Sequence, residues 1–77
     1  MSTTIATTLD LKGLSCPLPI VRTAAAFKTL RPGEVVEVLA TDPGSVADFT
    51  AWSKATGNPL LEHTSEGGIY RFVIRRK

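Results

Sequence analysis

Cys16 is the only cysteine among 77 residues, and it stands in the stretch Gly13-Leu14-Ser15-Cys16-Pro17-Leu18-Pro19. A thiol reacts as its thiolate, so its chemistry follows its pKa. Proline suits the first helical position, where its missing N–H costs nothing, so Pro17 marks a helix start immediately behind the sulfur. A helix start offers unpaired N–H groups and about half a positive charge. A thiolate or persulfide anion there is stabilised, and the thiol pKa is expected to fall. Neither Pro17 nor Pro19 can donate, which leaves Leu18 as the only amide donor among the three residues after Cys16. If Cys16 is the N-cap, the Leu18 N–H is the sulfur's obvious partner. The proline rings also stiffen the turn, which suits a sulfur that must enter another protein's active site. A lone free cysteine is more often a small buried hydrophobe. The turn position, outside any apolar stripe, argues here for an exposed and reactive one.

Other chemistries fare worse. One cysteine closes no internal disulfide and forms no Cys-x-x-Cys pair, so a dithiol cycle is out. One cysteine and one histidine, His63, do not make a metal site. A Cys–His protease pair would need a substrate cleft that so short a chain has no room for. Glu66-Gly67-Gly68 lacks the lysine and the following helix of a phosphate loop. His63 reads as an exposed strand residue. Asp42 reads as a helix cap, and its charge near the thiol would raise the thiol pKa against the helix dipole. Arg71, Arg75, Arg76 and Lys77 form a basic end. It is either a solvated strand edge that discourages aggregation or a docking patch for an acidic partner or RNA.

These residues need a scaffold. Ile5, Thr7, Leu9 and Leu11 alternate with Ala6, Thr8 and Asp10, the period of a half-buried strand. Residues 17–30 read as a helix with the apolar stripe Ile20, Ala24, Phe27 and Leu30, stopped by Arg31-Pro32-Gly33. Residues 34–40, EVVEVLA, read as a central strand. Thr41-Asp42-Pro43 repeats the first pattern: a possible cap, then a proline at the first helical position. The second helix runs to about Thr56 with Val46, Phe49 and Trp52 inward, and Gly57 and Pro59 end it. Residues 60–65 and 69–76 read as a hairpin around Glu66-Gly67-Gly68. The order β-α-β-α-β-β predicts an α+β fold. It is a two-layer sandwich, a four-stranded mixed sheet with two helices on one face. Cys16 and Asp42 then lie at the carboxyl ends of the first two strands, the edge where ligands tend to bind.

A chain of this length makes one domain, 1–77, with a thin core. With 43% apolar and 21% charged residues it has an ordinary globular composition. The net charge of +2 does not by itself argue for nucleic acid. The first residues lack the basic start and apolar run of a secretory leader. No apolar run approaches the roughly 20 residues of a membrane helix. Reducing cytoplasm is the expected setting.

Residues 9–19, LDLKGLSCPLP, closely resemble the LDxxGLxCPxP opening of the TusA/SirA family of sulfur carriers. The resemblance continues through Arg31-Pro32-Gly33-Glu34, Thr41-Asp42-Pro43 and the closing strand. It implies that Cys16 receives sulfane sulfur as a persulfide from a cysteine desulfurase or a rhodanese-type donor and passes it to an acceptor protein. The resemblance further implies that the sulfur serves tRNA thiolation, molybdenum-cofactor synthesis or sulfur oxidation. Pro17, Leu18 and Pro19 would shape the helix start, and Asp10, Gly13, Asp42 and Pro43 the supporting rim. No cofactor or metal, no direct nucleic acid and no membrane is expected. Such a carrier is a sulfurtransferase-type protein that acts only with partner enzymes. The alternatives are a non-covalent regulatory or RNA-binding module that uses Arg71, Arg75 and Arg76, and a thiol redox sensor.

Overall fold

The structure, a computed structural model, describes residues 4–77. Residues 1–3, the beginning of the stretch read for a leader, lie outside the described residues. The elements follow the expected order: β1 (Ile5–Asp10), α1 (Leu18–Phe27), β2 (Val35–Ala40), α2 (Ser45–Thr56), β3 (Leu60–Glu66) and β4 (Ile69–Arg75). The strands lie in the order β1-β2-β4-β3. β1 is parallel to β2, and β4 is antiparallel to both its neighbours. β1, β2 and β3 therefore share one sense, and their carboxyl ends share one edge of the sheet.

β2 is buried along most of its length, as its β-branched run requires. Val36, Val38 and Ala40 are inaccessible and meet Phe72 and Ile74 of β4, Phe27 of α1 and Phe49 of α2 in one cluster. Both helices thus cover the same sheet face. The Phe49 and Phe72 rings lie 4.6 Å apart, and Phe27 meets Trp52 edge-on at 5.0 Å. These are favourable aromatic geometries.

Three local readings need correction. The strand alternation holds for Leu9 and Leu11, which reach the core, but not for Ile5. A bulge between Ile5 and Thr7 pairs Ile5 with Val35, on the other face. α1 ends at Phe27 and not at Leu30, because Lys28, Thr29 and Leu30 donate to carbonyls three residues back and tighten the last turn. Leu30 packs on the core from that turn. The stripe also missed Thr23, fully buried because its hydroxyl donates to the Pro19 carbonyl at 2.8 Å.

α2 ends as its glycine requires. Gly57 is left-handed, φ 79°, and its N–H donates to the Ser53 carbonyl. Gly57→Ala is expected to cost about 1 kcal/mol and to lower Tm by about 4–8 °C. An unchanged thermal melt would show that the left-handed cap is dispensable.

On the face without helices, Arg71 bridges Glu37 and Glu62, and Thr8 donates to Glu37. The Arg71 hydrogen bond holds the Glu37 carboxyl below the usual carboxylate range. A depressed pKa stabilises the fold above the unfolded value, about 4.3, and that contribution fades as pH falls through the folded value. The pair is partly solvated, so Glu37→Gln is expected to cost about 1 kcal/mol at pH 7. The gap between variant and wild type should close as pH drops below about 4. Denaturant melts across pH check this, and a gap constant with pH would refute it.

Candidate functional site

The loop from β1 to α1 is bolted to the segment that follows β2. The Leu11 N–H donates to the Leu39 carbonyl at 2.8 Å and carries the parallel ladder one residue past β1. Gly13 then turns the chain at φ +86°, a conformation that favours glycine. Its N–H donates to Thr41 Oγ1 at 2.9 Å. The Cys16 N–H donates to Asp42 Oδ2 at 2.8 Å, and the Gly44 N–H to Asp42 Oδ1 at 3.3 Å. One carboxylate therefore ties the cysteine loop to the approach of α2. Asp42→Ala removes a charge-assisted bond and is expected to cost about 1.5–3 kcal/mol. Amide hydrogen exchange at Cys16 should accelerate more than in the sheet, and equal acceleration everywhere would argue against a local clamp.

The helix starts differ from the sequence reading. Pro17 and not Cys16 is the N-cap of α1, so Leu18 and Pro19 are its first two residues. The Leu18 N–H donates to the Ser15 carbonyl at 2.9 Å and closes the turn that carries Cys16. It is spent there and does not serve the sulfur. α2 begins at Ser45 with Gly44 as N-cap, so Pro43 precedes the helix and Asp42 is not its cap. The Ser45 N–H bonds the Asp42 carbonyl at 3.0 Å in a turn, which delays the helix.

Cys16 is exposed, and its thiol pKa is raised, not lowered. Acceptance of the S–H by the Asp48 carboxylate comes first, then desolvation, then the charges of Asp48 and Asp42. Asp48 is the residue the sequence reading missed. It lies on the first turn of α2, and one of its oxygens, one of Asp42 and the Cys16 sulfur all lie within 4.8 Å of one another. The available signal was an acid in the first turn of a helix, a common position that says nothing of a sulfur nearby. These three side chains are the described group whose donor atoms could converge on a metal. Both Asp42 oxygens already hold backbone N–H groups, those of Cys16 and Gly44.

The other site candidates divide. Asp10 sits at the end of β1 and pairs loosely with Lys12 at 3.9 Å. Leu18 and Val21, 42% and 54% exposed, form an apolar shoulder behind the sulfur. Arg71, Arg75 and Arg76 do not reach this rim as a free patch. Arg71 is committed to its two glutamates, and Arg75 pairs with Val35 at the opposite end of β2. Arg76 donates through Nε to the Phe27 carbonyl at the end of α1. His63 is exposed on β3, as expected, its ring stacked at 6.3 Å on Phe72. Two recesses, about 390 and 420 Å³, lie beside Trp52 and beside Leu39 and Ile69, and neither is lined by Cys16. The sulfur is offered on a rim and not in a cavity, so a reaction partner must come to it. Among the described residues, no helix is long and apolar enough to cross a membrane.

The family described as Sulfurtransferase TusA matches residues 7–76. The candidate sulfur carrier protein YrkI of Bacillus subtilis is 54% identical over 68 residues, 88% of this chain and 91% of that protein. The sulfur carrier protein TusA of Allochromatium vinosum is 50% identical over 68 residues, 88% of this chain and 90% of that one. The crystal structure of a SirA-like protein from Desulfitobacterium hafniense superposes with a TM-score of 0.78 at 25% identity, over 90% of this chain and 95% of that one.

Proposed function

The chain belongs to the Sulfurtransferase TusA family of sulfur carriers, and we propose that it holds its cargo as a persulfide on Cys16. The observation that carries this reading is the single exposed thiol, clamped by Asp42 on an open rim. Cys16 attacks the outer sulfur of a donor persulfide, and the donor's inner sulfur leaves as a thiol. An acceptor thiolate then attacks the same outer sulfur, and Cys16 is the leaving group. The chain has no second cysteine to reduce the persulfide internally and release sulfide.

The geometry supports these roles. Pro17 and Pro19 shape the helix start, and Leu18 closes the turn beneath Cys16 and presents its side chain to a partner. Gly13 and Asp42 fix the loop, with Asp10 at its entry and Pro43 at the start of the next. The donor is a cysteine desulfurase or a rhodanese-type protein in the cytoplasm. The acceptor leads to tRNA thiolation, molybdenum-cofactor synthesis or sulfur oxidation. Incubation with a cysteine desulfurase and free cysteine should raise the intact mass by one sulfur atom, removable by a reductant. No gain with several sulfur donors would overturn the reading.

A further inference from the structure

We propose that Asp48 sets the loading equilibrium of Cys16 and biases the carrier toward delivery. Its carboxylate holds the S–H of the empty Cys16 and repels the negative charge of the loaded one. The inference rests on the sulfur-carrier reading above and concerns what loading does to the charge of the site. With R as the donor, loading is Cys16–SH + R–S–S⁻ → Cys16–S–S⁻ + R–SH. The bond from Sγ to the outer sulfur forms as the donor's S–S bond breaks. The Cys16 sulfur is oxidised, the donor's inner sulfur is reduced, and the Cys16 proton ends on the leaving thiol. Loading therefore takes a proton from the rim and puts one negative charge there. Delivery to an acceptor reverses both changes.

The groups facing the sulfur decide how that charge is received. Two nearby backbone donors are spent: the Cys16 N–H on Asp42 and the Leu18 N–H on Ser15. Pro17 and Pro19 have none. The first turn of α1, residues 18–21, has no charged side chain. From the end of β1 come Asp10 and Lys12, which pair with each other. From the approach to α2 comes Asp42, already holding two N–H groups. From α2 itself comes Asp48, half-buried and, among the described residues, in no ion pair and capping no backbone N–H. The thiol is what this carboxylate faces. The upward push on the Cys16 pKa, led by Asp48, reports the same preference for a neutral sulfur.

A purely structural role for Asp48, at the positive end of α2, would leave the sulfur equilibrium alone. The full chain and its variants are equilibrated with glutathione persulfide and glutathione, and the loaded fraction is read by intact mass. Asp48→Asn keeps an acceptor but removes the charge. Its loading constant is expected to rise about fourfold, the effect of one unit charge about 5 Å away in a water-like dielectric. The midpoint of its thiol alkylation against pH should fall, and Asp48→Glu should restore wild-type behaviour in both readouts. If Asp48→Asn does not fold, Asp48→Ser is read in the same way. Wild-type loading with an uncharged variant unchanged in partition and alkylation profile overturns this inference alone. A wild type that takes no sulfur overturns the carrier reading and this inference with it.

Discussion

Cys16→Ser is expected to abolish sulfur loading completely and to leave thermal stability almost unchanged. A hydroxyl forms no persulfide, and the chain holds no other thiol to substitute. The fold does not need the sulfur. Cys16 is exposed, outside the core cluster, and the loop is tied down through its backbone N–H, which serine keeps. Exposed substitutions of this kind usually stay within about 0.5 kcal/mol. Sulfur loading is read by intact mass and stability by a thermal melt of the same sample. Loading that survives in the variant would place the cargo elsewhere. A collapsed melt would make Cys16 structural.

The opposite signature is expected at Phe49 and Phe72, whose rings join α2 to the centre of the sheet. Both are inaccessible, and Phe49 belongs to the helix that supplies Asp48. Phe72→Ala leaves a ring-sized void and is expected to cost about 3–5 kcal/mol. The total stability of a domain is about 5–15 kcal/mol, and so small a core sits low in that range. The variant should be largely unfolded when warm and should lose sulfur loading only in proportion to its unfolded fraction. Near-ultraviolet circular dichroism and Trp52 fluorescence follow this directly. A cost below about 1 kcal/mol would show that the site can collapse onto the void.

Much of this was legible in the residues. The six elements, the mixed sheet and both helices on one face follow from alternation in residues 5–11, the β-branched run of β2 and the glycine turns. Cys16 stood out by type and position. The charge at the sulfur was legible only in part: the residue pattern sets Asp42 against the helix dipole near the thiol and leaves the outcome open. Residue pattern places a thiol at a helix start, where the dipole lowers its pKa, but does not show that the Leu18 N–H is already spent on Ser15. Nor does it show that Asp48, 32 residues away in sequence, faces the thiol across the two helix starts. Asp42 reads as a cap because caps are local. Its contact with the Cys16 N–H spans 26 residues and exists only once β1 and β2 pair. The bulge at Ile5 and the early end of α1 have the same origin: tertiary contacts chose among local options that the residue pattern leaves open.

The central claim is that Cys16 holds a mobile sulfur, and a chase tests it most directly. The carrier is loaded with isotopically labelled sulfur from a cysteine desulfurase, the donor is removed, and an acceptor thiol protein is added in equal amount. Peptide mapping should first find the label on Cys16 alone. On mixing, the label should pass to the acceptor mole for mole, and the carrier should return to its unloaded mass. Label that maps to another residue, or that stays on Cys16 with every acceptor tried, would contradict the account.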